Sequence, residues 1–139
     1  MYDKVWIDHI VLRAVDARKL TDFYCAVLGA SVERELDLGL IQVRCGSILI
    51  DIVPVDSELG KAGGPAPGAG RNMDHFCLRV EPFDPSAIRE HVEGLGGEVS
   101  EVHERYGSDG FGDSIYVTDP EGNTMELKGA PSRPPLNEV

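Results

Sequence analysis

Two histidines and two carboxylates stand at matched places in this chain. His9 lies in "IDHIVLR" (residues 7–13) and His75 in "MDHFCLR" (residues 73–79), the same phrase written twice. Asp51 follows the first in "SILIDIVPV", and Glu126 follows the second in "NTMELKG". An ionisable group flanked by apolar residues is costly to bury unless it is paired or bound to a metal. Taken alone, a histidine in a strand is ordinarily a hydrogen-bonded core or edge residue, and a lone Asp or Glu there faces solvent. Four such groups at equivalent places in a repeat would need four separate coincidences. Two neutral imidazoles and two carboxylates suit one divalent ion with room for water or substrate. The carboxylates would cancel its charge. The set fits Ni²⁺, Co²⁺, Zn²⁺, Mn²⁺ or Fe²⁺, which polarise a carbonyl or enolate oxygen or acidify a water.

The elements that must position these groups repeat as well. Residues 4–15 read as a strand with Val5, Ile7, His9 and Val11 on one face. Leu20, Phe23, Tyr24, Val27 and Leu28 keep helical spacing, with Asp16 as N-cap and Gly29 as stop. Strands are expected at 31–36, 40–45 and 47–54. Residues 60–71 hold five Gly, two Pro and three Ala, a composition that predicts no regular element. The pattern then restarts. "NMDHFCLRVE" reads as a strand, and Asp84-Pro85 opens a helix through Ile88, Val92 and Leu95 that stops at Gly96-Gly97. "GEVSEV", "SIYVT" and "TMELK" read as strands around a glycine-rich loop, "RYGSDGFGDS", and a turn, "DPEGN". The tail "APSRPPLNEV" is expected to be poorly ordered. His9 thus matches His75 at an offset of 66. A sheet with one helix leaves one face free, and two free faces can enclose a shared cleft.

Other residues carry weaker signals. His91 and His103 have no counterpart in the first half and read as surface or packing residues. Arg105 in the glycine-rich loop can meet an anionic group if that loop covers a substrate. Arg13 and Arg79 match across the repeat and fall on the histidines' faces, in the cleft or at strand ends. Cys25, Cys45 and Cys77 form no C-x-x-C pair and read as small buried hydrophobes in a reducing compartment.

The bulk composition narrows the class. The 139 residues are 42% hydrophobic and 27% charged, which fits a soluble globular protein of one compact domain or of two small halves sharing a core. A net charge of −11 argues against a nucleic-acid partner and leaves room for a cation. No apolar stretch is long enough to span a bilayer and no signal pattern opens the chain, so no membrane partner is expected and a cytoplasmic location is the default.

The stretches "DHIVLRAVDARKLTDFYCAVLG", "ILIDIVPV", "MDHFCLRVE" and "YVTDPEGNTMELKG" together resemble the vicinal oxygen chelate superfamily. That group includes glyoxalase I, dioxygenases and bleomycin-binding proteins. The resemblance covers residues 5–129. It implies an α+β fold of two βαβββ modules forming a cupped mixed sheet with the helices outside. It implies a single domain over 1–139, with module one at 4–57, a linker at 58–72, module two at 73–129 and a tail at 130–139. It carries the metal positions onto His9, Asp51, His75 and Glu126, and it implies a homodimer whose site lies within one chain or between two.

Two departures shape the functional reading. The glyoxalase-like pattern has Glu where this chain has Asp51, one methylene shorter, so Asp51 ligates directly or through water. Without it, His9, His75 and Glu126 form a two-His, one-carboxylate set that suits Fe(II) and dioxygen. "GDSIYVTDPEGN" also resembles the fosfomycin transferases, but Val11 and Pro135 stand where those enzymes need a threonine and an arginine. The leading expectation is a glyoxalase I-like lyase or isomerase acting on a small α-carbonyl compound or its thiol adduct through an enediolate. Glu126 is the expected general base and Asp51 the second choice. The alternatives are an Fe(II)-dependent extradiol-type dioxygenase, with His103 as its acid–base group, or a non-enzymatic bleomycin-type binder of small molecules.

Overall fold

The computed structural model describes residues 1, 3–4, 7–64 and 73–136. The chain divides into two compact units, Met1–Ala69 and Gly70–Val139. Each is an α+β unit with one sheet.

In the first unit, β1 (His9–Ala14) leads into α1 (Ala17–Leu28), then β2 (Ser31–Glu35), β3 (Ile41–Cys45), β4 (Ile48–Pro54) and the short α2 (Glu58–Ala62). The sheet order is β1-β4-β3-β2, with β1 parallel to β4 and the other pairs antiparallel. Helix α1 starts where the Asp16 carboxylate accepts the Lys19 N–H, and it ends at Gly29, whose φ of 64° only glycine adopts cheaply. Its buried Leu20, Phe23 and Tyr24 form the core with Leu12, Ala14, Ile41, Val43, Ile50 and Ile52 of the sheet. Alternation then sends His9, Val11, Arg13, Gln42 and Asp51 to the opposite face.

The expected strand at 4–15 is shorter than its alternation suggests. Ile7 precedes it and is exposed, while Val5 and Trp6 lie outside the described residues. The expected linker is also corrected, because its first residues form α2. Ser57 caps that helix by accepting the Gly60 N–H. Gly60 is there for space: a Cβ would come within 1.9 Å of the Pro54 carbonyl oxygen. Most of the remaining expected linker, 65–71, falls outside the described residues.

The second unit contains β5 (Phe76–Arg79), α3 (Pro85–Gly94), β6 (Glu98–Val99), β7 (His103–Gly107), β8 (Gly110–Thr118) and β9 (Thr124–Arg133). The order is β5-β9-β8-β6, and β7 pairs with β8 beyond β6. Strand β5 is parallel to β9, as β1 is to β4. Ile115, Val117, Met125, Leu127 and Val92 of α3 are buried. The "DPEGN" turn is built on Asp119, whose Oδ1 accepts the N–H groups of Glu121 and Asn123.

Three expectations fail here. "RYGSDGFGDS" is a β-hairpin, because Arg105 pairs with Gly112 and Tyr106 with Phe111 around a turn at Ser108-Asp109. "GEVSEV" is a strand only at Glu98–Val99, after which the Ser100 hydroxyl takes the Tyr116 N–H and interrupts the ladder. The tail is ordered through Arg133, because β9 continues along β8. Among the described residues, no helix is long and apolar enough to cross a membrane.

Ile50 is fully buried under α1, whereas Val15 is 79% exposed. Ile50→Ala should therefore cost about 3 kcal/mol of unfolding free energy. Val15→Ala should change it by less than about 0.5 kcal/mol. Urea denaturation of the two variants checks both.

Candidate functional site

Register decides which side chains can meet. In the first unit Val11 pairs with Asp51, and Asp51 pairs with Gln42. In the second, Cys77 pairs with Glu126, and Glu126 pairs with Tyr116. Each histidine sits two residues before the partner of its unit's carboxylate, so His9 and His75 stand one step along the same face.

The imidazoles are held alike. His9 Nδ1 lies 2.6 Å from Asp8 Oδ1, and His75 Nδ1 lies 2.6 Å from Asp74 Oδ2. An ionised carboxylate only accepts, so Nδ1 is the donor in each of these two contacts, and in a neutral His9 that leaves Nε2 as the acceptor. The hydrogen bond to Asp8 raises the His9 pKa above its ordinary value, desolvation works against it, and the charges of Asp51 and Asp8 add to the rise.

The second pair is closed. His75 Nε2 lies 3.2 Å from Glu126 Oε2, with Glu126 only 6% exposed. With Nδ1 already donating to Asp74, a neutral His75 would set a nitrogen lone pair against a carboxylate. A positive centre, either a proton or a cation, belongs between them. Two ligands at about 2.1 Å from one divalent ion stand about 3.0–3.4 Å apart, so the spacing fits a metal as well as a proton. The first pair is open. Asp51, 4% exposed, accepts from the Gln42 amide at 3.3 and 3.2 Å and makes no ion pair with His9. Of the four expected ligands, then, His75 and Glu126 touch, while His9 and Asp51 share only a face. Among the described residues, no group of three or more His, Cys, Asp or Glu side chains is arranged to hold a metal ion.

Around Glu126 lie groups that the sequence did not single out. Burial pushes the Cys77 thiol up to about 12, with the charge of Glu126 and a hydrogen bond to it adding to the effect. Cys77 is thus a protonated donor to that carboxylate. It is also exposed, and Cys25 and Cys45 are half-buried, so the expectation of buried cysteines is corrected. Tyr116 stands edge-on to His75 at 5.5 Å, and its hydroxyl accepts from Arg105 Nε at 3.1 Å. His103 is exposed on β7 with its ring 6.5 Å from Tyr116, and His91 is exposed on α3. Arg79 pairs with Glu81 and Asp109, and Arg13 donates to the Gly60 and Gly64 carbonyls. The signal for Asp8 and Asp74 was present, since Asp precedes His in both copies. Gln42 and Tyr116 were reachable by counting across the turns that face Asp51 and Glu126.

A family model for the Glyoxalase/Bleomycin resistance protein/Dioxygenase superfamily matches residues 6–127. The chain belongs to this superfamily. Solved structures agree. A protein from the mobile metagenome of V. Pseudocholerae is 27% identical, with 93% of this chain and 97% of that one covered and a TM-score of 0.73. Lactoylglutathione lyase from Agrobacterium tumefaciens is 22% identical over 91% and 94%, with a TM-score of 0.66. The fosfomycin resistance protein FosX from Listeria monocytogenes is 20% identical over 93% and 96%, with a TM-score of 0.69. At those identities the last two share the superfamily's fold with this chain.

Because Asp8 holds the His9 proton, metal-free protein should show His9 titrating above the ordinary value of 6.5. Asp8→Ala should move that midpoint down. Histidine resonances followed by NMR against pH read the difference directly, and an unmoved midpoint would show that the Asp8 bond does not form in solution.

Proposed function

We propose that this chain is a divalent-metal-dependent lyase or isomerase of the glyoxalase I type, acting on a small α-carbonyl compound or its thiol adduct. The contact of His75 Nε2 with the buried Glu126 carries this reading, because two ligands of one divalent ion stand at that spacing. The donor chemistry supports it too: two imidazoles whose Nδ1 atoms are each held by a neighbouring Asp, and two carboxylates to balance the charge. His9, Asp51, His75 and Glu126 would hold the ion, from one chain or from two. Once bound, it would polarise the substrate oxygens beside the carbon that loses its proton.

The chain's own residues do the rest. Asp8 and Asp74 orient the rings and keep the protons on Nδ1. Glu126 takes the proton from carbon at a carboxylate oxygen and returns it to the adjacent carbon, acting as base and then as acid. Cys77 donates a hydrogen bond to that carboxylate and is too weak an acid to act as a nucleophile. Asp51 is the poorer base, because both its oxygens already accept from Gln42. Arg105, whose guanidinium meets a phenol and a carbonyl but no carboxylate among the described residues, would receive an anionic part of a thiol adduct.

The test is reconstitution. Protein stripped of metal and reloaded in turn with Ni²⁺, Co²⁺, Zn²⁺, Mn²⁺ and anaerobic Fe²⁺ should retain about one ion per chain and convert an α-ketoaldehyde–thiol adduct to a thioester. Glu126→Gln should lower turnover by at least about 100-fold. His75→Ala should lose the ion. A chain that takes up no ion sinks the proposal. The proximity of His103 to Tyr116 favours a second reading, ring-cleaving dioxygenase, and oxygen uptake by the Fe²⁺ form with a catechol would select it.

A further inference from the structure

The two carboxylates are equivalent by register but not by partner. Glu126 meets its histidine, whereas Asp51 meets Gln42. A chain of donors stands behind that difference. Arg34 Nε donates to Gln42 Oε1 at 2.7 Å, and Gln42 Nε2 donates to both oxygens of Asp51. Arginine has no acceptor, so the amide oxygen must face Arg34 and the NH₂ must face Asp51. The orientation of Gln42 is therefore fixed by its neighbour's chemistry.

The backbone is shaped for this arrangement. Val32 pairs with Val43, and a regular ladder would then set Glu33 opposite Gln42. A register shift between Val32 and Arg34 sets Arg34 there instead. Glu33 is turned to Arg44. An acceptor at that place would pull the amide's NH₂ away from Asp51; the bulge supplies a donor. In the second unit the place of Gln42 is taken by Tyr116, again with an arginine, Arg105, donating to it.

We propose that Gln42 is a positioning residue that holds the short side chain of Asp51 in its working orientation, with Arg34 fixing the amide. The inference rests on the metal reading above, and it gives Gln42 a role in the ion's environment without direct contact. Asp51 lacks the methylene that lets Glu126 reach its histidine, and the two amide hydrogen bonds limit its swing instead.

The experiment is a double-variant cycle read by Co²⁺ binding. Wild type, Gln42→Leu, Asp51→Asn and the double variant are titrated with Co²⁺ alone, recording the dissociation constant and the visible absorption band. Gln42→Glu is titrated in parallel as a near-isosteric variant that keeps the Arg34 contact. Gln42→Leu and Gln42→Glu should each weaken Co²⁺ binding about ten-fold and alter the band. The double variant should bind no more weakly than Asp51→Asn, because Gln42 acts through Asp51. Unchanged affinity and band in both Gln42 variants, or losses that add in the double variant, overturn the inference while leaving the metal reading intact. A wild type that takes up no Co²⁺ overturns the metal reading and this inference together.

Discussion

Side chains in register on parallel neighbours point to the same face, and this constraint decides where the ionisable groups of the chain can stand. Each unit pairs its first strand with its last in parallel. Asp51 is thereby set beside Val11, and Glu126 beside Cys77. A one-residue slip would drive each carboxylate into a helix-covered core and bring Ile50 or Met125 out of it. The fully buried Ile50, Ile52 and Met125 flank the carboxylates in sequence and forbid that slip. The apolar residues that make Asp51 and Glu126 look misplaced in the sequence are what hold them in place.

Given equivalent positions, chain length separates the two carboxylates. The extra methylene of Glu126 reaches across to His75 Nε2, while Asp51 takes the nearer amide of Gln42. The consequences differ electrostatically. A neutral amide satisfies Asp51 and leaves its charge in place. Glu126 faces an imidazole nitrogen whose other nitrogen is already committed, so its contact holds only if something positive is shared. Two positions that read as duplicates thus have different surroundings: one carboxylate held by a neutral amide, the other against a histidine nitrogen.

Much of the frame was legible in the sequence because it obeys local rules. Asp16 and Gly29 bound α1, Asp84-Pro85 opens α3, and "DPEGN" turns the last hairpin. The parts that were not legible depend on tertiary partners. Glycines read as excluding regular structure in "GKAGG" include Gly60, which is required for close packing on Pro54. Residues 105–114 looked like a loop because their glycines hide an ordinary ladder, to which the Lys128 ammonium adds bonds to the Arg105 and Gly112 carbonyls. Strand β9 outran its apolar stretch because β8 offered it an edge to pair with. At the site, the four ionisable residues stood out by repetition. Gln42 could be placed opposite Asp51 by counting across the turn, but its contact with Arg34 depends on a bulge in the neighbouring strand that composition does not reveal.

The cations on the carboxylates' own faces complete the argument. Arg13 is spent on the carbonyls of Gly60 and Gly64, Arg79 on Glu81 and Asp109, and Lys128 on the Gly112 and Arg105 carbonyls. None of them forms an ion pair with Asp51 or Glu126. In a chain of net charge −11, pairing those carboxylates with a resident Lys or Arg would have been the simplest way to bury them. Asp51 is instead met by the neutral amide of Gln42, and Glu126 by the Cys77 thiol and His75. Asp51 and Glu126 are thus buried in their own units with neither Arg13, Arg79 nor Lys128 as an ion-pair partner.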